Sequence, residues 1–144
     1  MLAPFERPDG EFPYPLHHDL QETMGNLVGI FRNEEDLKKA LVQLDNLKPR
    51  LAKLRIDGSR LFNPGWHLTR DLKNMVLISE AVARCALARR ESRGAHSRID
   101  FPNYDPEWEK KNNIIANEGG SMTLRQRPVP EMPADLKQLL EEKK

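Results

Sequence analysis

The sequence predicts a mainly α protein: a three-helix, up-down-up bundle followed by an irregular C-terminal arm that contains a short β-hairpin. Three segments carry apolar residues at three- and four-residue steps, which is the period of an amphipathic helix. The links between these segments are short, which favours antiparallel neighbours. The chain has 144 residues, of which 38% are hydrophobic, so we expect one domain with an additional arm.

The first predicted helix begins near Pro15, because proline suits a first helical turn. Its apolar positions are Leu16, Leu20, Met24, Leu27, Val28 and Phe31. Gly25 and Gly29 each lower the helix propensity by roughly 1 kcal/mol. We therefore expect this helix to pack closely against a neighbour.

The second predicted helix starts after Asn33, a favoured N-cap residue, and three acidic residues follow in its first turn. Pro49 is predicted to kink or end the helix, because it lacks a backbone donor. The apolar stripe along this helix is too short for a coiled coil, so we expect it to pack into a core within the same chain. Its apolar residues are Leu37, Leu41, Leu44, Leu47, Leu51 and Leu54.

The third predicted helix opens at Asn63 and Pro64 and ends near Ser92–Gly94. Its alanines leave little bulk, so a neighbouring backbone can approach closely. The predicted inner face is Trp66, Leu68, Leu72, Met75, Val76, Ser79, Val82, Ala83, Ala86 and Leu87.

The last third of the chain predicts a hairpin, because alternating runs at 113–118 and 121–128 flank Gly119 and Gly120. Residues 135–144 predict a short charged helix. The prolines near the start predict an extended linker. We therefore divide the chain into a linker at 1–14, a three-helix bundle at 15–95, and an extended arm with hairpin and helix at 96–144.

Composition argues against several functions. The net charge of +1 does not favour nucleic-acid binding, and no apolar run approaches the roughly 20 residues that span a bilayer. The four histidines have no metal-ligand spacing, so no metal site is predicted. Cys85, the single cysteine, is expected to be a small hydrophobe within a helix.

The end of the third helix carries the most specific motif, Glu-Ser-Arg-Gly-Ala-His at 91–96, which follows an Ala-rich helix and precedes Asp-Phe-Pro at 100–102. This run resembles the segment that closes the C-terminal helical domain of the flavoprotein subunit of succinate dehydrogenase and fumarate reductase. Residues 19–24, 74–80 and 127–129 are also similar to that family. The resemblance covers residues 19 to about 129.

The resemblance implies that the chain is part of an FAD-dependent oxidoreductase that interconverts succinate and fumarate and is coupled to quinone. In that family FAD and the catalytic residues lie on upstream domains. This chain has no G-x-G-x-x-G after a strand, so we assign it no catalytic, cofactor-binding or metal residues. We expect a fragment cut from a longer protein, with linker 1–14 leading from the flavin domain, and expect it to be inactive alone.

The family also implies partners. We expect contacts with the upstream flavin-binding domain and the iron–sulfur subunit, and membrane attachment only indirectly, through other subunits on the cytoplasmic face of the inner membrane. The candidate inter-domain docking residues are Arg89, Arg90, Arg93, Gly94, His96 and Arg98. The alternative role for this group is to cap the helix end and bind nearby carbonyls.

Two other functions remain open from the sequence. The chain can be read as a stand-alone helical protein-interaction domain, or as the C-terminal domain of L-aspartate oxidase, which shares the architecture and a similar motif. A domain separated from its parent should expose an apolar docking patch. We therefore expect the fragment either to self-associate or to carry an unusually large patch. The sequence does not show the direction of the parent reaction or its quinone.

Overall fold

The computed structural model of the protein describes residues 2–141 and divides into two compact units between Tyr104 and Asp105. The first unit contains α1 (Ala3–Glu6), α2 (Pro13–Leu27), β1 (Phe31–Arg32), α3 (Glu34–Leu51), α4 (Pro64–Ala88) and β2 (Ser97–Arg98). The second contains α5 (Pro106–Glu109), β3 (Lys111–Glu118), β4 (Ser121–Pro128) and α6 (Ala134–Glu141). The predicted fold class is confirmed.

Helices α2, α3 and α4 pack against one another in all three pairs and enclose one hydrophobic core. The core consists of apolar residues at helical spacing, because burying the apolar face of each helix removes the most hydrocarbon from water. Ala83 and Ala86 are both buried in this core. The other core residues are Leu16, Leu20, Val28, Leu37, Ala40, Leu44, Leu47, Leu54, Leu72 and Val76.

The predicted N-cap at Asn33 forms, and Asn63, where the third helix was predicted to open, is an N-cap as well. The Asn33 side chain accepts a hydrogen bond from the Asp36 amide at 2.8 Å, and Asn63 accepts one from the Trp66 amide at 3.1 Å. Each cap satisfies an amide that has no partner within the first helical turn. Helix α3 continues through Pro49, which lies in the last turn, and ends two residues later at Leu51.

Two predicted core positions are wrong. Phe31 is 74% exposed, because α2 ends at Leu27 and Phe31 lies in β1, outside the helical stripe. Val82 is 41% exposed, because it lies about 100° around the helix from the buried Ala83. One position was missed: Glu80 on α4 is 5% exposed, and its carboxylate binds Lys48 and Arg84.

The start of the chain differs from the extended linker that we expected at 1–14. Residues 3–6 form α1, and the backbone then pairs with the segment that follows α3. Glu11 exchanges hydrogen bonds with Lys53 and Arg55, and the Ile56 amide donates to the Pro4 carbonyl at 3.0 Å. These bonds hold the segment against the bundle.

The two-residue strands β1 and β2 pair in parallel, with Phe31 opposite Ser97 and Arg32 opposite Arg98. The Ser97 amide donates to the Ile30 carbonyl at 3.2 Å, and the Ile99 amide donates to the Arg32 carbonyl at 2.8 Å. This pairing joins the segment after α4 to the end of α2. Residues 96–104 therefore belong to the first unit, and the predicted boundary between 95 and 96 falls nine residues too early.

The hairpin of the second unit matches its prediction closely. Strands β3 and β4 are antiparallel, and the last pair before the turn is Glu118 with Ser121. Gly119 and Gly120 have φ of +59° and +85°, the left-handed region that a two-residue hairpin turn requires. Helix α6 covers 134–141, and residues 142–144 of the predicted terminal helix lie outside the described residues.

Candidate functional site

The segment that follows α4 contains two fully buried charged side chains, Glu91 and Arg98, with exposed fractions of 0% and 1%. Burial of a charge is unfavourable unless the charge is paired and hydrogen-bonded. Glu91 is the first residue of the motif that the sequence singled out, and Arg98 lies two residues after its end. We call residues 89–101 the closing turn.

Arg98 lies on β2 and closes the C-terminal end of α4. Its Nη1 donates to the carbonyls of Ala86, Leu87 and Arg89 at 2.9, 3.1 and 3.2 Å. The last carbonyls of a helix have no partner within the helix, and here one guanidinium satisfies three carbonyls at that end. Arg98 therefore acts as a side-chain cap that comes from outside the helix.

Asp100 holds the other side of the same guanidinium. Arg98 Nε and Nη2 donate to its two carboxylate oxygens at 2.8 and 2.7 Å, a bidentate pair. Asp100 also accepts a hydrogen bond from the Glu34 amide in the first turn of α3 at 2.9 Å. The Arg98 hydrogen bonds lower the pKa of Asp100 to about 2. The pair thus connects the end of α4 to the beginning of α3.

Glu91 lies between two arginines. Arg89 Nε and Arg93 Nε donate to the same carboxylate oxygen at 2.8 and 2.9 Å, and Arg93 Nη2 donates to the other oxygen at 3.2 Å. The Arg93 guanidinium also lies 4.0 Å from the centre of the Tyr104 ring. One buried carboxylate therefore fixes two long cationic side chains.

The backbone of the closing turn reverses direction at Gly94, where φ is +57°. The amides and carbonyls of Arg93 and His96 exchange hydrogen bonds at 2.8 and 3.0 Å across this reversal. A serine holds its base: Ser92 Oγ accepts from the Arg98 amide at 2.8 Å and lies 2.9 Å from the Phe101 carbonyl. Glycine accepts this backbone conformation without steric conflict.

His96 connects the closing turn to the end of α2. Its Nδ1 lies 2.8 Å from Arg32 Nη1, and its Nε2 lies 3.1 Å from the Arg89 carbonyl. A neutral imidazole fits both contacts, because Nδ1 then accepts from the arginine while Nε2–H donates to the carbonyl. Burial lowers the pKa of His96, the hydrogen bond to the Arg89 carbonyl acts in the opposite direction, and the nearby cations Arg32, Arg98 and Arg89 lower the pKa further.

The structure predicts a pH dependence that runs through His96. Because its pKa is lowered in the folded state, the unfolded chain binds this proton more readily, so stability falls as the pH drops below about 6.5. One proton limits the slope to about 1.4 kcal/mol per pH unit. The His96→Gln variant keeps an Nε2 donor and cannot protonate.

Urea denaturation of both proteins between pH 5 and pH 8 measures this contribution. The other three histidines, His17, His18 and His67, remain in both chains, so they cancel in the difference. We expect the free energy of unfolding to fall more steeply towards pH 5 for the wild type than for His96→Gln. Equal pH profiles would contradict the neutral, doubly bonded imidazole.

The predicted docking residues come together around the closing turn but differ in exposure. Arg90 and Gly94 are exposed, Arg89, Arg93 and His96 are half-buried, and Arg98 is buried. Arg98 and His96 make the carbonyl contacts that the capping alternative described. The side chains of Arg98 and His96 therefore hold the closing turn in position, and the other residues of the turn form its outer surface.

The outer surface of this region is both basic and apolar. With Arg32 included, five arginines stand against the carboxylates of Glu91 and Asp100 and that of the neighbouring Glu34, so positive charge is in excess. Large apolar side chains are exposed on the paired strands and beside them. These are Ile30 at 61%, Phe31 at 74%, Ile99 at 65% and Tyr104 at 50%.

Sequence reasoning missed Arg32 altogether and did not identify Asp100 as the specific partner of Arg98. Asp100 follows Arg98 by two residues, and an Arg-x-Asp spacing in an extended segment was a signal for the pair. No local signal marked Arg32, because it approaches His96 from 64 positions away.

Among residues 2–141, no group of histidine, cysteine or acidic side chains is arranged to hold a metal ion. None of the helices in the same range has the length and apolar character needed to cross a bilayer. The three-helix bundle and the internally paired closing turn of the first unit define a helical domain.

The particular family follows from comparison with known proteins. A family model described as "Fumarate reductase flavoprotein C-term" matches residues 17–139. The chain belongs to this family. The match includes α2 from residue 17 onward, all of α3 and α4, the closing turn and the hairpin.

The relatives include an FAD-dependent oxidoreductase and a flavoprotein subunit. An uncharacterized FAD-dependent oxidoreductase of Methanocaldococcus jannaschii is 40% identical over 102 residues, covering 71% of this chain and 18% of that protein. The succinate dehydrogenase flavoprotein subunit of Coxiella burnetii is 34% identical, covering 82% and 20%. The Sdh1 complex of Mycobacterium smegmatis contains a chain with a TM-score of 0.82 and 42% identity, covering 98% and 26%.

The L-aspartate oxidase alternative is supported more weakly. That enzyme from Acinetobacter baylyi is 36% identical over 92 residues, covering 64% of this chain and 16% of the enzyme. The chain spans only about a fifth of the length of its curated relatives.

Proposed function

We propose that this chain is the C-terminal helical domain of an FAD-dependent succinate dehydrogenase or fumarate reductase flavoprotein subunit, and that it buttresses the flavin-binding domain. The observation that carries the proposal is the closing turn. It combines a completely paired interior at Arg98 with an exposed basic and apolar surface. A stand-alone interaction domain would need no such similarity to a flavoprotein along its whole length.

The parent subunit interconverts succinate and fumarate with FAD, and the reaction is coupled to quinone. This chain has no glycine-rich strand-to-helix turn for a pyrophosphate, so the flavin and the reacting carbons lie on the upstream domain. The role of the residues here is mechanical. They hold the wall of the active site rigidly in place, because a small displacement of a reactive group strongly slows an enzyme.

The docking contacts belong to the closing turn. Arg90, Arg93 and Gly94 contact the flavin domain or the iron–sulfur subunit, while Arg89, His96 and Arg98 keep the turn in shape. The excess of positive charge favours an acidic partner surface. Membrane attachment comes indirectly, through other subunits on the cytoplasmic face of the inner membrane. Self-association of the isolated chain through its exposed apolar residues stays a prediction.

The test compares the full-length subunit with the 144-residue chain. We expect the full-length protein to be yellow and to oxidise succinate with an artificial electron acceptor, whereas the 144-residue chain shows no flavin absorbance and no activity. A yellow, active 144-residue chain would overturn the proposal. A gene that encodes no flavin domain before this region would overturn it as well.

The docking surface is tested in the same full-length protein. Arg90→Glu reverses an exposed charge, so it should lower the thermal midpoint of the full-length subunit and leave that of the 144-residue chain unchanged. Lys73→Glu, an exposed position in the middle of α4, is the matched control. Equal effects of Arg90→Glu on both proteins would argue against a docking role.

A further inference from the structure

A second surface of the first unit lies in the loop before α4. Leu61 and Phe62 are 75% and 99% exposed. Phe62 has φ of +53°, and it is the one non-glycine residue with positive φ among the described residues. An aromatic residue is strained in this conformation. A strained and wholly exposed phenylalanine adds no packing to the unit that carries it.

The loop is nevertheless rigidly built. The side-chain amide of Asn63 donates to the carbonyls of Asp57 and Ser59, both at 3.0 Å. The Leu61 amide donates to Ser59 Oγ at 3.0 Å. Asn63 is also the N-cap of α4, so the loop is fastened to the helix. These bonds fasten the backbone on both sides of the two exposed apolar side chains.

A cavity of about 230 Å³ lies beside the projecting side chains. Tyr14 and Ile56 contribute to its lining together with Phe62. The loop therefore places two exposed apolar side chains, Leu61 and Phe62, beside a cavity. Rigid aromatic anchors of this kind dominate many protein interfaces, because they bury much area and lose little conformational freedom.

The beginning of the chain runs past the same loop. The guanidinium of Arg60 lies 5.8 Å from the Phe5 ring and 3.9 Å from the Glu6 carboxylate. The Pro4 carbonyl accepts from the Ile56 amide. Any domain joined ahead of Leu2 is therefore tethered beside Leu61 and Phe62, and a tether raises the effective concentration of a contact.

We propose that Leu61 and Phe62 insert into an apolar pocket on the upstream flavin-bearing part of the same polypeptide. This inference rests on the proposed function, and it identifies a docking contact at the opposite end of α4 from the closing turn. The strain at Phe62 is compensated when the ring leaves water. The two contacts then hold α4 at both ends, which fixes the orientation of the bundle.

The first measurement is oxidative footprinting of Phe62 in the full-length subunit and in the 144-residue chain. We expect Phe62 to be modified at least five times more slowly in the full-length protein. Val42, which is 63% exposed on α3, is the internal control and should react equally in both. Equal rates at Phe62 would overturn the inference.

Binding of Leu61 and Phe62 to a different partner gives different results, and each of these results would also overturn the inference. A second copy of the chain would make protection of Phe62 depend on the concentration of the 144-residue chain. The iron–sulfur subunit would protect Phe62 only when that subunit is added. A gene without a flavin domain would overturn this inference together with the proposed function, whereas an unprotected Phe62 in a yellow, active subunit would overturn this inference alone.

The second measurement uses Phe62→Gly, which removes the strain together with the ring. We expect the thermal midpoint of the 144-residue chain to stay equal or to rise, and that of the full-length subunit to fall. Val42→Ala is the matched control and should affect both proteins alike. A fall in both proteins after Phe62→Gly would show that the ring stabilises the domain itself, and this would contradict the proposal.

Discussion

Replacement of Glu91 by glutamine is expected to lower the free energy of unfolding of the 144-residue chain by about 3 kcal/mol. Glu91 is completely buried, and its carboxylate accepts hydrogen bonds from Arg89 and Arg93. Glutamine keeps the size but removes the charge and places an amide donor against two cations. The two arginine side chains are about a quarter to a third exposed, so solvent moderates the loss.

Urea denaturation at pH 7 measures this loss. Glu35→Gln is the matched control, because Glu35 is 78% exposed and pairs with Lys39 on the surface of α3. A surface pair of this kind contributes less than about 1 kcal/mol. If Glu91→Gln destabilised the chain no more than Glu35→Gln, the buried carboxylate would not be what holds the closing turn.

The bundle was predictable because its signals are local. Apolar residues at helical spacing define each helix, and Asn33 and Asn63 mark where two helices begin. The hairpin was equally clear, since Gly119 and Gly120 permit one tight turn between two alternating runs. In each case the residues that carry the signal are neighbours in the chain.

The errors arise where tertiary contacts override a local pattern. Phe31 continues the apolar spacing of α2, but its backbone pairs with Ser97 instead of extending the helix. Glu80 is charged, and glutamate is rarely buried, yet Lys48 and Arg84 make its burial tolerable. The periodicity of a single sequence does not reveal these tertiary partners.

The candidate site was located by its motif, but its internal chemistry was not predictable. The sequence places Arg98 among other arginines, so nothing distinguishes a buried guanidinium from a solvated one. The difference lies in carbonyls that come 9 to 12 residues earlier, at the end of α4. Such contacts depend on the reversal at Gly94, which returns the chain to the helix end.

Arg98→Met is expected to have the largest effect of any single substitution in the closing turn, a loss of about 4–5 kcal/mol. Methionine fills much of the buried stem. It leaves the carbonyls of Ala86 and Leu87 without this donor, the Arg89 carbonyl with His96 as its side-chain donor, and Asp100 without its bidentate partner. Since small domains are stable by roughly 5–15 kcal/mol, this loss is a large part of the total.

Arg98→Lys keeps the charge but supplies one ammonium in place of a planar fork, so we expect it to recover only about half of the loss. This variant keeps the prediction measurable if Arg98→Met does not fold. Arg90→Met is the matched control and should change stability by less than about 0.5 kcal/mol, because Arg90 is exposed. Hydrogen exchange should localise the damage of Arg98→Lys to the last turn of α4 and the first turn of α3, which Asp100 joins through the Glu34 amide. Uniform loss of protection, or an Arg98→Met protein as stable as Arg90→Met, would show that the helix end is closed by other contacts.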